Sequence, residues 1–225
     1  MSLMFARRAW LPATIAVLPT ATIVVCYRLS AANGYIPDCN PLLEGCTSVS
    51  SAGRHGAAYW LFKLGVLPTA LLMAVFWRWC RAWVLSLGLG DSTGLKAMRW
   101  LGTISAAFLV LYVVFLGSSG EVYAFLRRFG VTIHFSFSYL AQILLLNRLW
   151  NARRAGRLPL PDALTTVMFA LTLVCFAMAL YSLPVGVVIA DPDNVIINVI
   201  EWNFAIALIG WYLLPALAWR HTSAH

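Results

Sequence analysis

Charge is scarce in this chain. Only 11% of its 225 residues are Asp, Glu, Lys or Arg, against about 25% in a soluble domain. Several signatures are missing altogether. There is no Gly-rich phosphate loop, no zinc-type Cys/His spacing and no RNA-binding aromatic motif, so the residues name no nucleotide, metal, cofactor or nucleic-acid partner. No nucleophile elbow marks a hydrolase. Internal repeats, low-complexity tracts and a separable second domain are also lacking.

What the chain has is apolar length. Hydrophobic residues make up 61% of it, more than a soluble core of this size can hide. A bilayer removes that difficulty, because the outer surface may itself be apolar. Six runs approach the roughly 20 apolar residues that cross a hydrocarbon core of about 30 Å. They are Trp10–Tyr27, Tyr59–Trp77, Trp100–Gly117, Val131–Trp150, Leu164–Leu183 and Ile197–Trp219. Trp or Tyr marks many of their ends, as in an interfacial aromatic belt. Pro12, Pro19, Pro68 and Pro215 fall inside spans, where neighbouring helices absorb a kink. The expected fold is all-α: residues 1–225 form a single bundle of six transmembrane helices.

The net charge of +8 sits in segments flanking these runs, which fits orientation and lipid headgroups rather than nucleic acid. With the N-terminus inside, the inner segments hold Arg7, Arg8, Arg78, Arg81, Lys96, Arg99, Arg148, Arg153, Arg154, Arg157 and Arg220, which is 11. The outer segments hold Arg28, Arg54, Arg127 and Arg128, which is 4. Both termini are therefore expected in the cytoplasm, although Arg127 and Arg128 run against the trend. Arg7 and Arg8 before an apolar run, with Ser30-Ala31-Ala32 after it, imitate a signal peptide. The run is long for a signal, so it is expected to stay as the first span.

The longest segment outside the spans runs from Arg28 to Ala58. Loops of that length are more often functional than mere connectors. Cys39 and Cys46 lie in it with Asn40, Pro41 and Gly45 between them. Turn formers and an oxidising outer compartment predict a disulfide. Cys26, Cys80 and Cys175 read as packing residues, with Cys80 placed where palmitoylation can occur. Ser48, Ser50, Ser51, Arg54 and His55 follow. Arg54 and the hydroxyls suit a phosphate group. A serine with His55 as its base is conceivable, and a solvated loop is the favoured reading.

Lys63, His134 and Glu201 are ionisable and lie inside spans. Each is three or four residues from the outer end of its run, which places them roughly 4–6 Å below the outer interface. His134, Ser138 and Gln142 share one helix face, as do Asn194, Asn198 and Glu201. Together these residues predict a shallow polar pocket under the long loop. Lys63 snorkelling to the interface, a structural His134–Glu201 pair, a lipid or substrate site, and a proton or ion path all fit. The residues alone leave these readings open.

Several features recur in one family. They are Tyr35-Ile36-Pro37-Asp38 followed by Ser48-Val49-Ser50, Gly117-Ser118-Ser119 at the close of the third span, His134 early in the fourth, and Glu201-Trp202 early in the sixth. In these the chain resembles the Frag/DRAM/Sfk family of six-span membrane proteins, along nearly its whole length. The Cys39/Cys46 pair lies outside the matched motifs. The resemblance implies lipid handling: GPI-anchor lipid remodelling, phospholipid distribution or autophagy-linked membrane regulation. It names no catalytic residue. Membrane lipids, and lipid-anchored or other membrane proteins, are the expected partners. The membrane would be the plasma or inner membrane, or Golgi or ER. Alternatives are a scaffold without chemistry and, less favoured, a small-solute transporter.

Overall fold

The computed structural model describes residues 2–158, 160–185 and 187–222. They form helices α1 (Ser2–Arg7), α2 (Trp10–Ala32), α3 (Val49–Ala52), α4 (Gly56–Ser86), α5 (Thr93–Val114), α6 (Glu121–Arg154), α7 (Asp162–Ser182), α8 (Val195–Gly210) and α9 (Leu213–His221). Among the described residues there is no β-strand. Six segments are long and apolar enough to cross a membrane, α1–α2 counting as one and α8–α9 as another. The chain is an integral, multi-pass membrane protein.

The helices pack in sequence order, α2 on α4, α4 on α5, α5 on α6, α6 on α7 and α7 on α8, and α8 and α9 return to α2. Because lipid tails are as apolar as leucine, close backbone approach does what the hydrophobic effect does in water. Gly102 of α5 illustrates this. A Cβ there would lie 2.2 Å from Cγ of the fully buried Trp77. Both termini meet at one end of the bundle, where Phe5 and Trp219 pack edge-on at 5.6 Å and Phe76 stacks on Trp219 at 5.7 Å. Such pairs contribute about 0.5–1.5 kcal/mol each. At the same end Asp91 binds Arg81 at 2.6 Å and Lys96 at 3.7 Å. The Arg81 guanidinium holds the Asp91 carboxyl below its ordinary pKa.

Several helices outrun the expected spans, with α2 reaching Ala32, α4 reaching Ser86 and α5 starting at Thr93, and two further differences have local reasons. Helix α6 begins at Glu121 rather than Val131, so Arg127 and Arg128 are helical. Gly130 does not break it. Its missing side chain lets α6 approach α5, since a Cβ would lie 3.1 Å from the Phe108 carbonyl oxygen. The last span is divided at Trp211 and Tyr212, where i to i−3 bonds (Tyr212 N–H to Ile209 O and Leu214 N–H to Trp211 O, both 3.1 Å) replace the regular ladder. Pro215 supplies no N–H to the Trp211 carbonyl, so the ladder tightens there.

Candidate functional site at the loop end of the bundle

The long segment between α2 and α4 folds over the end of the bundle opposite the termini. Cys39 and Cys46 are disulfide-bonded, with Cα atoms 6.6 Å apart. Tyr27 of α2 receives the Cys39 N–H at 2.8 Å, and the Ser30 hydroxyl donates to the Ala52 carbonyl at 2.7 Å. From the other side α8 donates three bonds to loop carbonyls: Asn198 to Gly45, Trp202 to Thr47 and Asn203 to Leu42, at 2.9, 2.8 and 2.9 Å. Gly45 has φ +60°, and a Cβ on it would lie 2.1 Å from the Val195 carbonyl oxygen. Only glycine allows both that conformation and that approach. Ser48 caps α3 by accepting from the Ser51 N–H at 3.1 Å. Asp191 accepts the N–H groups of Ile196 and Ile197 at 3.2 and 3.0 Å, so it, rather than Asn194, caps α8.

Beneath this cover lies a narrow cavity of about 70 Å³, walled by α2, α4, α5, α6 and α8 with Val49 of α3, and touched by His134, Ser138, Tyr112 and Glu201. It has room for a few water molecules. His134 Nδ1 lies 3.1 Å from both the Ser105 hydroxyl and the Ser105 carbonyl oxygen. A carbonyl can only accept, so the tautomer with its proton on Nδ1 donates to Ser105 O, whereas the other tautomer accepts from the Ser105 hydroxyl. The Ser105 and Ser138 hydroxyls bond to each other, and Gln142 donates to the Leu208 carbonyl at 2.9 Å. Glu201 directs its carboxylate at the backbone N–H groups of Val49 and Ser50, with Arg54 nearby. His134 and Glu201 thus share a cavity wall but have separate partners.

A larger opening of about 570 Å³ lies beside it between α6, α7, α8 and the loop. Arg54, Arg127 and Arg128 line it, with Ser50, Thr132, Ser136 and Glu201. Among the described residues none of these three arginines makes an ion pair within 4.0 Å. Arg127 is held by the Phe115 and Ser118 carbonyls at 3.3 and 2.6 Å. Arg54 donates to the Ser50 hydroxyl at 3.2 Å. Tyr112, Val131, Phe135 and Glu201 line both spaces, so one wall separates them. Arg54 and Arg128 also border a third, polar opening of about 500 Å³ with Thr47, Ser51 and Asn198.

The sequence candidates therefore separate into groups. His134, Ser138, Glu201 and Arg54 gather around the two spaces. Gln142 ties α6 to α8, and Asn198 holds the loop. Lys63 is elsewhere: its ammonium donates to the Tyr59 hydroxyl and to the Val114 carbonyl, 3.2 Å away, at the end of α5. His55 precedes α4 and stacks on Tyr35 at 5.3 Å, while the Ser48 hydroxyl is engaged as a cap. The Ser48 and Ser50 hydroxyls bond to each other, to Ser51 N–H and to Arg54 rather than to His55, and among the described residues no three His, Cys, Asp or Glu side chains gather as a metal site.

Sequence reasoning counted Arg127 and Arg128 only as topological charges. It also passed over Thr132 and Ser136. The same spacing rule that selects His134, Ser138 and Gln142 selects Arg128, Thr132 and Ser136 on a second face of α6, about 120° around the helix. Comparison of the chain with models of known protein families, with curated proteins and with solved structures finds no match.

Proposed function

We propose that this chain is a lipid-handling membrane protein. It takes a phosphate-bearing headgroup into the open pocket at the loop end of its bundle, and both termini lie in the cytoplasm. One observation carries this reading. In a protein that is 11% charged, three arginines line one opening between lipid-facing helices against a single carboxylate, Glu201, and among the described residues none of them forms an ion pair within 4.0 Å. Guanidinium groups with hydroxyls beside them suit phosphate oxygens. Placed on the outer side, Arg127 and Arg128 contradict the charge bias, and a headgroup ligand gives them a reason to be there. The resemblance to the Frag/DRAM/Sfk family supports the same class of work, GPI-anchor lipid remodelling or phospholipid organisation, and adds lipid-anchored proteins as partners.

A scaffold without chemistry is the second reading, and a specific observation favours it. His134, Ser105, Ser138 and Gln142 are all buried, and each is hydrogen-bonded across a helix boundary. Lipids carried through purification decide between the two. Mass spectrometry of the purified protein should find phosphate-bearing acidic lipids enriched over the source membrane, and Arg54→Gln with Arg128→Gln should remove that enrichment. Both side chains are exposed, so the fold should survive. An unchanged lipid profile would leave the scaffold reading standing alone.

A further inference from the structure

We infer that the occupant of this pocket is a single acidic phospholipid drawn sideways from the leaflet at the loop end, with an acyl chain lying between α6 and α7. The inference rests on the lipid reading above and deepens it. The opening continues along one face of α6. Arg128, Thr132, Ser136 and Tyr139 follow one another at i, i+4, i+8 and i+11, so they stand one above the other. Ala179 and Ser182 of α7 form the opposite wall, and Phe135 and Phe204 form the back. Small side chains on α7 make the gap, and aromatic rings make the surface a chain would rest on.

The gap has a floor. The Tyr139 hydroxyl donates to the Thr172 carbonyl at 2.9 Å and bridges α6 to α7. From Arg128 to Tyr139 the helix rises about 16 Å. Half of a hydrocarbon core is about 15 Å. The space between the guanidinium of Arg128 and the Tyr139 bridge is therefore one leaflet deep. Below the bridge the groove resumes as a separate opening of about 450 Å³ lined by Ile143, Phe169, Leu173 and Phe176.

The position of the arginines agrees with this. Helix α6 has 34 residues and is about 51 Å long. Centred in a core of about 30 Å, it carries Arg127 and Arg128 at the core boundary, where lipid phosphates lie. Thr132 and Ser136 are exposed polar residues below that boundary, where purely annular lipid would favour apolar ones. They can meet the glycerol and ester oxygens that follow the phosphate. A water-borne phosphate would need none of the groove.

The test uses the full chain in phosphatidylcholine nanodiscs doped with phosphatidic acid that carries a photoreactive group midway along an acyl chain. Adducts are expected within 132–139 and 172–182. They should fall at least tenfold in the Arg54→Gln, Arg128→Gln double variant and in Ala179→Trp, which fills the gap. Ser136→Phe, at an exposed position, serves should Ala179→Trp fail to fold. Adducts spread evenly over lipid-facing positions such as Val17 and Leu71 would mean annular lipid and overturn the inference. If the arginine variant loses the lipid while adducts lie outside α6 and α7, the headgroup reading survives and the chain path is wrong. If neither variant matters, both fall. Inorganic phosphate alone protecting Arg54 and Arg128 from a guanidine-reactive reagent, with no lipid adduct, would make the ligand a soluble anion and also overturn it.

Discussion

Glu201 is the residue whose surroundings differ most from what an intramembrane carboxylate suggests. It does not pair with His134. It faces two backbone N–H groups and borders the arginine pocket. In its ionised form it therefore opposes an anionic headgroup there. Glu201→Gln keeps the shape and removes the charge, so affinity for phosphatidic acid in nanodiscs should rise a few-fold. A fall would show that the carboxylate itself holds or works on the ligand. The glycines give a second test at this scale. Gly102→Ala would push a Cβ to 2.2 Å from Trp77. Overpacking of a tight core costs about 1–3 kcal/mol, which should appear as a lower thermal midpoint in detergent. Gly210, in the last turn of α8, has nothing within 4 Å of an added Cβ. Gly210→Ala should leave the midpoint unchanged or raise it slightly. Equal losses in both would mean that close packing of α5 on α4 is not what Gly102 provides.

Among the elements, the covering loop is the one built to act as a unit. It is closed on itself by Cys39–Cys46 and fastened to both α2 and α8. Opening so short a disulfide loop is expected to cost of the order of 2 kcal/mol. The bonds from Asn198, Trp202 and Asn203 to loop carbonyls do not depend on the disulfide. Cys39→Ser with Cys46→Ser should therefore speed amide hydrogen exchange within 39–46 and leave 47–53 and α8 protected. Exchange spreading into α8 would show that loop and helix open together. Half of this element was legible in sequence. The turn formers between the cysteines announce the disulfide. Nothing local announces that Asn203 and the Trp202 indole are its anchors, because their partners are main-chain carbonyls more than 150 positions away.

For the whole molecule, the testable property is sidedness. The two termini share one end, and the segment between α7 and α8 belongs to the other. Cysteine at Val187, which is 86% exposed, should react with an impermeant thiol reagent in intact cells. Cysteine added to the C-terminal tail should react only after permeabilisation. The native background is low, since Cys26, Cys80 and Cys175 are buried and the remaining two are bonded. The reverse pattern would place the arginine pocket in the cytoplasmic leaflet and leave the 11-to-4 bias unexplained.

Length and hydropathy are properties of contiguous residues, and a bilayer has a fixed thickness. Six spans, an all-helical chain and termini on one side were therefore determined by the sequence itself. Which face of a helix meets which neighbour depends on rotation about its axis, and packing across the bundle decides that. Lys63 follows Phe62 directly, yet Phe62 lines the inner cavity while Lys63 reaches away to the end of α5. Helix α6 carries two polar stripes, and only the tertiary structure turns His134 and Ser138 inward against Ser105 and opens Thr132 and Ser136 towards α7. The fold was readable because it is set one segment at a time. The site was not, because each of its walls belongs to a different segment.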